Sequence, residues 1–227
     1  MQIIHFETKN QLIKALLETC SKIIVGNNQA KNKTNFCLAG GSTPFEFYAQ
    51  LADSNLDFGS TKLWQTDERY IPATHADSNQ KKLRETFEPS KNLTLELFDT
   101  NLNYSLCAQE YGQRLQGLLK SQQFDLTILG FGTDGHFASI FGGKDSEDQL
   151  NSTELTIYST ASDIYPVSQR LSLTPRALTQ SQKIIVILTG NDKKAVLQEF
   201  ESGKLSTAHY PCKYWLDNKS VEIWCWW

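Results

Sequence analysis

Residues 124–141, FDLTILGFGTDGHFASIF, are the stretch from which the fold of this chain is predicted. Residues 126–129 form an apolar run of strand length, which breaks at Gly130 and Gly132. We expect a short helix to begin at HFASIF, residues 136–141. In an open α/β sheet, ligands bind at the carboxyl ends of the strands, where small residues let the backbone approach a substrate closely. The stretch therefore predicts an α/β fold with a ligand site at this turn.

An acidic residue and a histidine, Asp134 and His136, stand at that turn. An aspartate two residues from a histidine can fix the tautomer of the imidazole ring or raise its basicity. A histidine also titrates near neutral pH, as a general base must. Glycine-rich turns after strands are common, however, and a solvated aspartate beside a histidine that begins a helix fits the same residues. The stretch alone leaves both interpretations open.

The composition restricts the class of protein. The chain has 227 residues, 40% apolar and 21% charged, which indicates one large α/β domain or at most two small ones. A net charge of −3 indicates neither a nucleic-acid nor an acidic-membrane partner, so any anion site must be local. The five cysteines are odd in number and include no CxxC pair, which argues against a zinc site and a disulfide framework. We see neither a signal-peptide pattern in MQIIHFETKN nor an apolar stretch of transmembrane length, and we expect a cytoplasmic protein.

A second strand, glycine turn and helix start occur at residues 36–44, FCLAGGSTP. Thr43 is expected to be the N-cap of the helix, with Pro44 at the first helical position and Glu46 completing a capping box. The exposed amides of residues 40–43 could cradle a phosphate. A well-capped helix with nothing bound is the alternative, and the double glycine favours the anion site.

Two groups of charged residues also follow predicted strands. The strand at residues 61–66 leads into DER (67–69), where Arg69 could hold a phosphate through two parallel hydrogen bonds. The strand at residues 183–188 leads into a helix whose first turn carries Lys193, a charge that opposes the helix dipole by roughly 0.3–1 kcal/mol. A bound anion would remove that conflict. Taken one at a time, both groups are more simply interpreted as solvated charges.

The remaining apolar patterns place helices and strands in alternation. Helical periods cover residues 11–24 and 106–119, and strand patterns cover residues 2–6, 155–158, 170–173 and 221–225. Loops are expected at residues 27–35 and 144–152, an irregular segment at 162–168, and packing or oligomer contacts at Trp215, Trp224, Trp226 and Trp227. The alternation predicts an α/β fold: a single three-layer domain with a mostly parallel, Rossmann-like sheet and helices on both faces.

These features are expected to meet in one cleft, because the carboxyl ends of parallel strands share one edge of the sheet. Cations and free amides on one side, with an acid and a histidine on the other, suit a small phosphorylated substrate and acid–base chemistry. The sequence contains no P-loop and no HExxH motif. In the run GFGTDG (130–135), the third glycine comes one residue early for the dinucleotide pattern.

The combination of motifs resembles the 6-phosphogluconolactonase family. The motifs are LAGGSTP (38–44), TDERYIP (66–72) followed by DSN (77–79), LGFGTDGHFASIF (129–141), Arg170 in RLSLT, and GNDK (190–193). The resemblance covers nearly the whole chain and implies one domain over residues 1–227, related to glucosamine-6-phosphate deaminases and ribose-5-phosphate isomerases. It implies hydrolysis of 6-phosphoglucono-δ-lactone to 6-phosphogluconate in the pentose phosphate pathway, with no metal or organic cofactor.

The resemblance also implies roles for individual residues. His136 would act as general base on the attacking water and return the proton to the leaving ring oxygen. Asp134 or Asp67 would orient and polarise the histidine, and the sequence does not rank the two. The phosphate or the developing oxyanion would be held by Gly40, Gly41, Ser42, Thr43, Arg69, Arg170 and Lys193.

The chain departs from the family pattern in places. Gly142 and Gly143 stand where the family has proline, and residues 162–169 lack the proline-rich, lysine-bearing approach to Arg170. The chain also stops soon after the last predicted strand. These departures affect the loops and the phosphate contacts more than the reaction.

Other functions predict other features. A glucosamine-6-phosphate deaminase would carry an acid after the histidine, whereas residues 137–141, FASIF, offer none. A non-catalytic sugar-phosphate sensor would need a DNA-binding segment, and the negative chain has no basic helix-turn-helix. A dinucleotide-binding domain would bind NADPH. The expected partner is a small sugar-phosphate lactone, with neither nucleic acid nor membrane, in a monomer or a homodimer.

Overall fold

The computed structural model of the chain describes residues 2–88, 92–203, 205–218 and 220–227. In chain order, its elements are β1 (Gln2–His5), α1 (Lys9–Gln29), β2 (Thr34–Leu38), α2 (Ser42–Ala52), β3 (Thr61–Gln65), β4 (Asp67–Arg69), α3 (Asn79–Phe87), β5 (Thr94–Glu96), α4 (Tyr104–Leu119), β6 (Leu126–Gly130), α5 (Ser146–Leu150), β7 (Thr156–Thr160), β8 (Gln169–Leu173), α6 (Pro175–Leu178), β9 (Ile184–Thr189), α7 (Asn191–Glu201), α8 (Lys213–Leu216) and β10 (Val221–Trp226).

A parallel sheet forms the centre of the molecule. Within the described residues its strands lie in the order β1-β10-β9-β6-β2-β3-β5, and each neighbouring pair is parallel. The apolar runs at β6 and β9 are buried, as expected of parallel strands covered on both faces. On one side of β2 lie the next strands of this sheet along the chain, β3 and β5. On the other side of β2 lie the later strands β6, β9 and β10. A crevice forms where the strand order reverses in this way, between β2 and β6.

Helices cover both faces of this sheet, which confirms the predicted α/β class. Because neighbouring side chains of a strand point to opposite faces, Phe36 and Leu38 pack in one core with α1, α2 and α3. Cys37, between them, packs in a second core with Tyr111 and Leu115 of α4 and with Trp215 of α8. The two cores hold the parallel strands from both sides.

A second sheet was not predicted. Among the described residues, β4, β8 and β7 form an antiparallel sheet in which Asp67 pairs with Ser172 and Arg69 with Arg170. Arg170 therefore lies near the start of β8 in this second sheet, and not at the carboxyl end of a strand of the parallel sheet. The chain leaves the large sheet at Thr66, whose N–H donates to Leu38 and whose carbonyl accepts from Leu173. This single residue joins the two sheets.

The central stretch is not helical after the histidine, contrary to the expectation for HFASIF. Phe137 instead forms bridges with Phe131 and Ile140, and Ala138 has a φ of +46°. A left-handed backbone at a non-glycine residue interrupts any helix. The hydrophobic spacing reflects the burial of Phe137 and Ile140 in a tight turn.

Three other local predictions are corrected by the structure. Helix α1 runs beyond residues 11–24 and takes in the start of the expected loop, and the expected loop at residues 144–152 contains the short helix α5. The N-cap of α2 is Gly41, with a φ of +116° and no side-chain cap, and not Thr43. The Thr43 hydroxyl is instead 2.8 Å from the hydroxyl of Thr189.

The five cysteines and two of the four C-terminal tryptophans are buried. The structure describes each of the five cysteines, and each is free and buried. Trp215 and Trp224 are buried, and Trp227 meets His5 edge-on with ring centroids 5.5 Å apart. None of the helices in the described residues is both long and apolar enough to cross a membrane.

Candidate active site

A cavity of about 350 Å³ opens at the carboxyl ends of β9, β6, β2 and β3, which are neighbours in the sheet. Its lining includes both glycine turns, together with residues from the ends of these strands: Ala39, Gly40, Gly41, Ser42, Thr43, Pro44, Asp67, Arg69, Asn79, Gly130, Phe131, Gly132, His136, Ala138, Ile187, Thr189, Asp192 and Lys193. Larger open grooves exist, such as one of about 810 Å³ against α4 and β7. The smaller cavity is the candidate site because it lies at the switch in strand order and gathers most of the residues singled out by sequence.

The Asp134–His136 pair lies at this cavity. His136 Nδ1 is 2.6 Å from Asp134 Oδ1, and the backbone N–H of His136 donates to the same oxygen over 3.2 Å. Partial burial alone would raise the pKa of Asp134, but the hydrogen bonds and charge of His136 outweigh it and lower that pKa to about 2. The ionised carboxylate can only accept, so Nδ1 carries the proton. In the neutral ring, the nitrogen left without a proton is therefore Nε2, which can act as a base.

Gly132 makes this pair possible. A Cβ at residue 132 would lie 2.1 Å from His136 Nδ1 and 2.3 Å from Asp134 Oδ1. The Gly132 N–H also donates to the His136 carbonyl over 2.7 Å, which closes the turn. The ring of Phe141 packs against the imidazole, with the two ring centroids 4.7 Å apart. The sequence pattern found the glycine but did not show that the pair depends on it.

Tyr165, which sequence reasoning missed, reaches the pair from the segment expected to be irregular. Its hydroxyl donates to Asp134 Oδ2 over 3.0 Å and is 3.2 Å from His136 Nδ1. Burial and the neighbouring Asp134 raise the pKa of Tyr165 to about 12, so it stays protonated. No motif marks this residue, because it is brought to the site from 29 residues beyond the histidine by the fold.

Asp67 lies in the cavity wall but does not contact the histidine. It is 7% exposed, and its carboxylate accepts from the Thr66 hydroxyl over 2.9 Å and from the Ser139 hydroxyl over 2.8 Å. Of the two aspartates left unranked by the sequence, the structure therefore places Asp134, and not Asp67, against His136. Ser139 is a further site neighbour that the sequence did not single out.

Glu68 explains why DER and DSN occur together. Its side chain is fully buried at the N-terminus of α3. It accepts hydrogen bonds from the backbone N–H groups of Arg69, Asn79 and Gln80 and from the side chains of Gln65 and Ser78. Burial raises its pKa, against the opposing effect of these hydrogen bonds. The simple interpretation of DER as solvated charges is wrong for Asp67 and Glu68, and Glu68 holds the second sheet to the helix.

The part of the cavity lined by Gly41 and Lys193 presents the N-termini of α2 and α7. Their caps, Gly41 and Gly190, have φ angles of +116° and +94°, and neither helix has a side-chain cap. Uncapped helix N-termini offer free N–H groups and positive potential to an anion. Lys193, in the first turn of α7, adds a positive charge, and burial lowers the pKa of its amino group. This side of the cavity suits a phosphate group.

Gly40 and Asn79 fix the shape of that wall. A Cβ at Gly40 would lie 2.6 Å from the side-chain oxygen of Asn79, so the backbone of the glycine turn packs directly on the asparagine. The Asn79 amide in turn donates to the Asp67 carbonyl over 3.2 Å. The glycine turn and the DER strand are thereby held in one arrangement.

The two arginines differ in position. Arg69 lines the cavity and donates to the carbonyl of Asp77. Arg170 is 4% exposed and lies behind the cavity wall, with its guanidinium 5.8 Å from the ring of Tyr165 and 6.0 Å from that of Phe141. Its Nε has no hydrogen-bond partner in the described part of the chain. Burial, and then the charge of Arg69, lower the pKa of Arg170.

Known proteins resemble this chain over most of its length. A family model described as glucosamine-6-phosphate isomerases/6-phosphogluconolactonase matches residues 7–224. A 6-phosphogluconolactonase from Caulobacter vibrioides is 33% identical over 171 residues, 73% of this chain and 72% of that protein. A probable 6-phosphogluconolactonase from Dictyostelium discoideum is 28% identical over 231 residues, 98% of this chain and 97% of that protein.

Solved structures share the fold. The crystal structure of a 6-phosphogluconolactonase from Thermotoga maritima matches with a TM-score of 0.83 at 26% identity, covering 99% of this chain and 98% of that one. A monomeric glucosamine-6-phosphate deaminase matches with the same TM-score of 0.83 at 17% identity, covering 99% of this chain and 97% of that one. Fold alone therefore does not separate the two activities.

Proposed function

Because this chain belongs to the family of glucosamine-6-phosphate isomerases and 6-phosphogluconolactonases, we propose that it hydrolyses 6-phospho-D-glucono-1,5-lactone to 6-phospho-D-gluconate. The curated relatives named above are lactonases, and one of them is 33% identical over 73% of this chain. The observation that carries the proposal is the Asp134–His136 pair, which leaves Nε2 as a base in a cavity that also offers helix N-termini to a phosphate.

His136 is the general base in this mechanism. Its Nε2 takes a proton from a water molecule as the water oxygen attacks the lactone carbonyl carbon. The resulting tetrahedral oxyanion collapses, the bond from that carbon to the ring oxygen breaks, and the imidazolium returns its proton to the ring oxygen. The histidine ends as it began, and the single ring-opened product carries a new hydroxyl and a carboxylic acid, which then loses its proton to solvent.

The carboxylate of Asp134 supports both steps. By accepting from Nδ1 it keeps the proton on that nitrogen, and its charge stabilises the imidazolium formed after the first transfer. Asp67 also lines the cavity, and its carboxylate oxygens accept hydrogen bonds from the hydroxyl groups of Thr66 and Ser139. Its role is limited to orienting the water or a substrate hydroxyl, since no hydrogen bond joins it to His136 in the described residues.

The phosphate is held at the other side of the cavity. The backbone of Gly40, Gly41, Ser42 and Thr43 at the start of α2, with the side chains of Arg69 and Lys193, lines this wall. Arg170 contributes positive potential from behind the wall. Holding the phosphate fixes the lactone carbonyl relative to the water and the base, which is a positional contribution to catalysis.

A deaminase is the second candidate because a deaminase has the same fold. Such an enzyme must open the sugar ring, and the resemblance implies an acid after the histidine for that step. Residues 137–141 supply none, and Phe137 and Ile140 there are fully buried. A non-catalytic sugar-phosphate sensor ranks lower, because the acid–histidine pair is intact.

We further propose that residues 1–227 act as one domain in the cytoplasm, as a monomer or a homodimer, and that the reaction needs no metal or organic cofactor. The free, buried cysteines fit a reducing compartment.

A substrate comparison tests the proposed reaction. The lactone is generated fresh, and its loss is followed with and without the protein; in parallel, ammonia release from glucosamine 6-phosphate and the fluorescence of NADPH on titration are measured. Lactone loss well above the spontaneous rate, without ammonia release and without NADPH saturation, is the expected result. Ammonia release with no effect on the lactone would replace the proposal with the deaminase, and no reaction with either compound would overturn the enzymatic assignment.

A further inference from the structure

The hydroxyl of Tyr165 completes a chain of polar groups behind the imidazole of His136. Asp134 Oδ1 is 2.6 Å from His136 Nδ1, and Asp134 Oδ2 accepts from the tyrosine hydroxyl over 3.0 Å. Each carboxylate oxygen thus has its own donor. The polar contacts of the Tyr165 hydroxyl in the described residues are with this pair.

The tyrosine ring is itself held in place. It meets the imidazole edge-on, with centroids 5.5 Å apart and planes at 86°, and it packs 5.3 Å from the ring of Phe141. Arg170 lies on β8, the strand that follows the tyrosine, and its guanidinium is 5.8 Å from the centroid of the tyrosine ring. Because the ring is held by these neighbours, the position of its hydroxyl oxygen is set by packing and not by the hydrogen bond alone.

We propose that Tyr165 is a positioning residue for lactone hydrolysis, whose hydroxyl fixes the carboxylate of Asp134 so that Asp134 keeps the Nδ1 proton on His136 and leaves Nε2 free. The inference rests on the proposed function, in which His136 is the base. The hydrogen bond also draws negative charge away from the oxygen that faces the imidazole. Without it, Asp134 would stabilise the imidazolium more strongly, and the base would be protonated at a higher pH.

Other charged and titratable groups face the same pair. The charge of the Asp134 carboxylate acts through space on Lys193 of α7 and on Cys212, before α8, while Arg170 on β8 acts on the tyrosine and Asp67 on β4 lies in the same cavity. Burial raises the pKa of Cys212 to about 12, so the thiol is uncharged at the pH of the assay. Removing only the tyrosine hydroxyl leaves these groups in place, and a difference between two pH profiles therefore reports on the hydroxyl.

Tyr165→Phe tests the inference because it keeps the ring contacts and removes the hydrogen bond. We expect kcat to fall about 3- to 10-fold, in line with the net contribution of one ordinary hydrogen bond. KM should stay within about twofold, because the hydroxyl contacts the Asp134–His136 pair. The acidic limb of kcat/KM should move to higher pH, because the imidazolium is then stabilised more strongly. The matched control is Tyr158→Phe, on β7, where the side chain is 59% exposed and no change is expected.

A second readout does not depend on activity. The chain has four histidines, so ¹⁵N NMR of the imidazoles, with His136→Ala to identify the signal, follows the tautomer and titration of this ring. We expect the native ring to carry its proton on Nδ1, and the midpoint of its titration to rise in Tyr165→Phe. If the native chain does not hydrolyse the lactone, the proposed function fails while the NMR comparison still decides the inference.

Two results would overturn the role of Tyr165. An unchanged kcat together with an unchanged imidazole titration in Tyr165→Phe would make the tyrosine a packing residue. A raised KM with kcat and the titration midpoint unchanged would instead assign it to substrate binding.

Discussion

Replacing Gly132 by alanine should separate Asp134 from His136 while the chain still folds. The added Cβ would lie 2.1 Å from Nδ1 of the imidazole and 2.3 Å from the carboxylate oxygen. The φ of Gly132 is outside the left-handed range that favours glycine. The three atoms nearest to the added Cβ all belong to the side chains of the Asp134–His136 pair.

The size of the effect follows from these distances. Since Cβ atoms essentially never approach other atoms within 3.0 Å, the imidazole must move by about 0.9 Å or more. A misplacement of about 1 Å can cost 100-fold, and a general base contributes roughly 10²–10⁴-fold. We expect kcat/KM to fall by about 100- to 1,000-fold, or roughly 2.7–4 kcal/mol of transition-state stabilisation. The free energy of unfolding should fall by only about 1–3 kcal/mol, as is usual for an overpacked site.

The assay is the initial rate of lactone loss, corrected for spontaneous hydrolysis, with Gly130→Ala as the matched control. A Cβ at Gly130 would lie 3.9 Å from the Ile187 carbonyl, an ordinary contact, although this glycine lines the same cavity. The control therefore reports on any obstruction by an added methyl group alone. If Gly132→Ala and Gly130→Ala have kcat/KM values within about threefold of each other, the dependence of the reaction on the Asp134–His136 contact is refuted.

Two further predictions concern Glu68 and Lys193. Glu68→Ala should lower the free energy of unfolding in urea by roughly 3–5 kcal/mol, since each buried donor left unsatisfied costs about 1–3 kcal/mol. Glu85→Ala is the control: its side chain is 64% exposed on α3, the helix whose N-terminus Glu68 accepts from, and the change should be less than about 0.5 kcal/mol. Equal effects would contradict the role of Glu68. Because burial lowers the pKa of Lys193 and only a protonated lysine attracts phosphate, calorimetry should show the affinity for 6-phosphogluconate falling as pH rises, at a lower pH than for an exposed lysine. Lys193→Arg, which stays charged, should flatten this dependence, and a profile identical to that of the native chain would exclude Lys193 from phosphate binding.

The sequence predicted six of the seven strands of the parallel sheet, because most of these strands are short, largely apolar runs before a glycine turn or a polar segment; β5, with the sequence TLE, was not predicted. Such runs at β6 and β9 have no other stable environment than a sheet covered on both faces. The site followed from the same pattern, since carboxyl ends of parallel strands share one edge. Sequence patterns of this kind are formed by residues close together along the chain, and they predicted most of the parallel strands.

The features that the sequence did not predict depend on distant partners. A period of two residues identifies β8 as a strand but does not reveal its antiparallel pairing with β4. That pairing places Arg170 behind the cavity wall. Hydrophobic spacing suggested a helix at residues 136–141, whereas the left-handed backbone of Ala138 makes it a turn. Choosing Asp134 over Asp67 as the neighbour of the histidine required interatomic distances, and so did finding Tyr165.

The most direct test of the central claim, that His136 is the base in lactone hydrolysis, is a comparison of the native chain with His136→Ala on freshly generated lactone. His5→Ala serves as control, because that residue lies on β1, at the far edge of the sheet from the cavity. We expect the native chain and the control to accelerate lactone loss alike, and His136→Ala to fall by roughly 10²–10⁴-fold toward the spontaneous rate. Equal acceleration by His136→Ala and the native chain would contradict the claim and leave the reaction without its base.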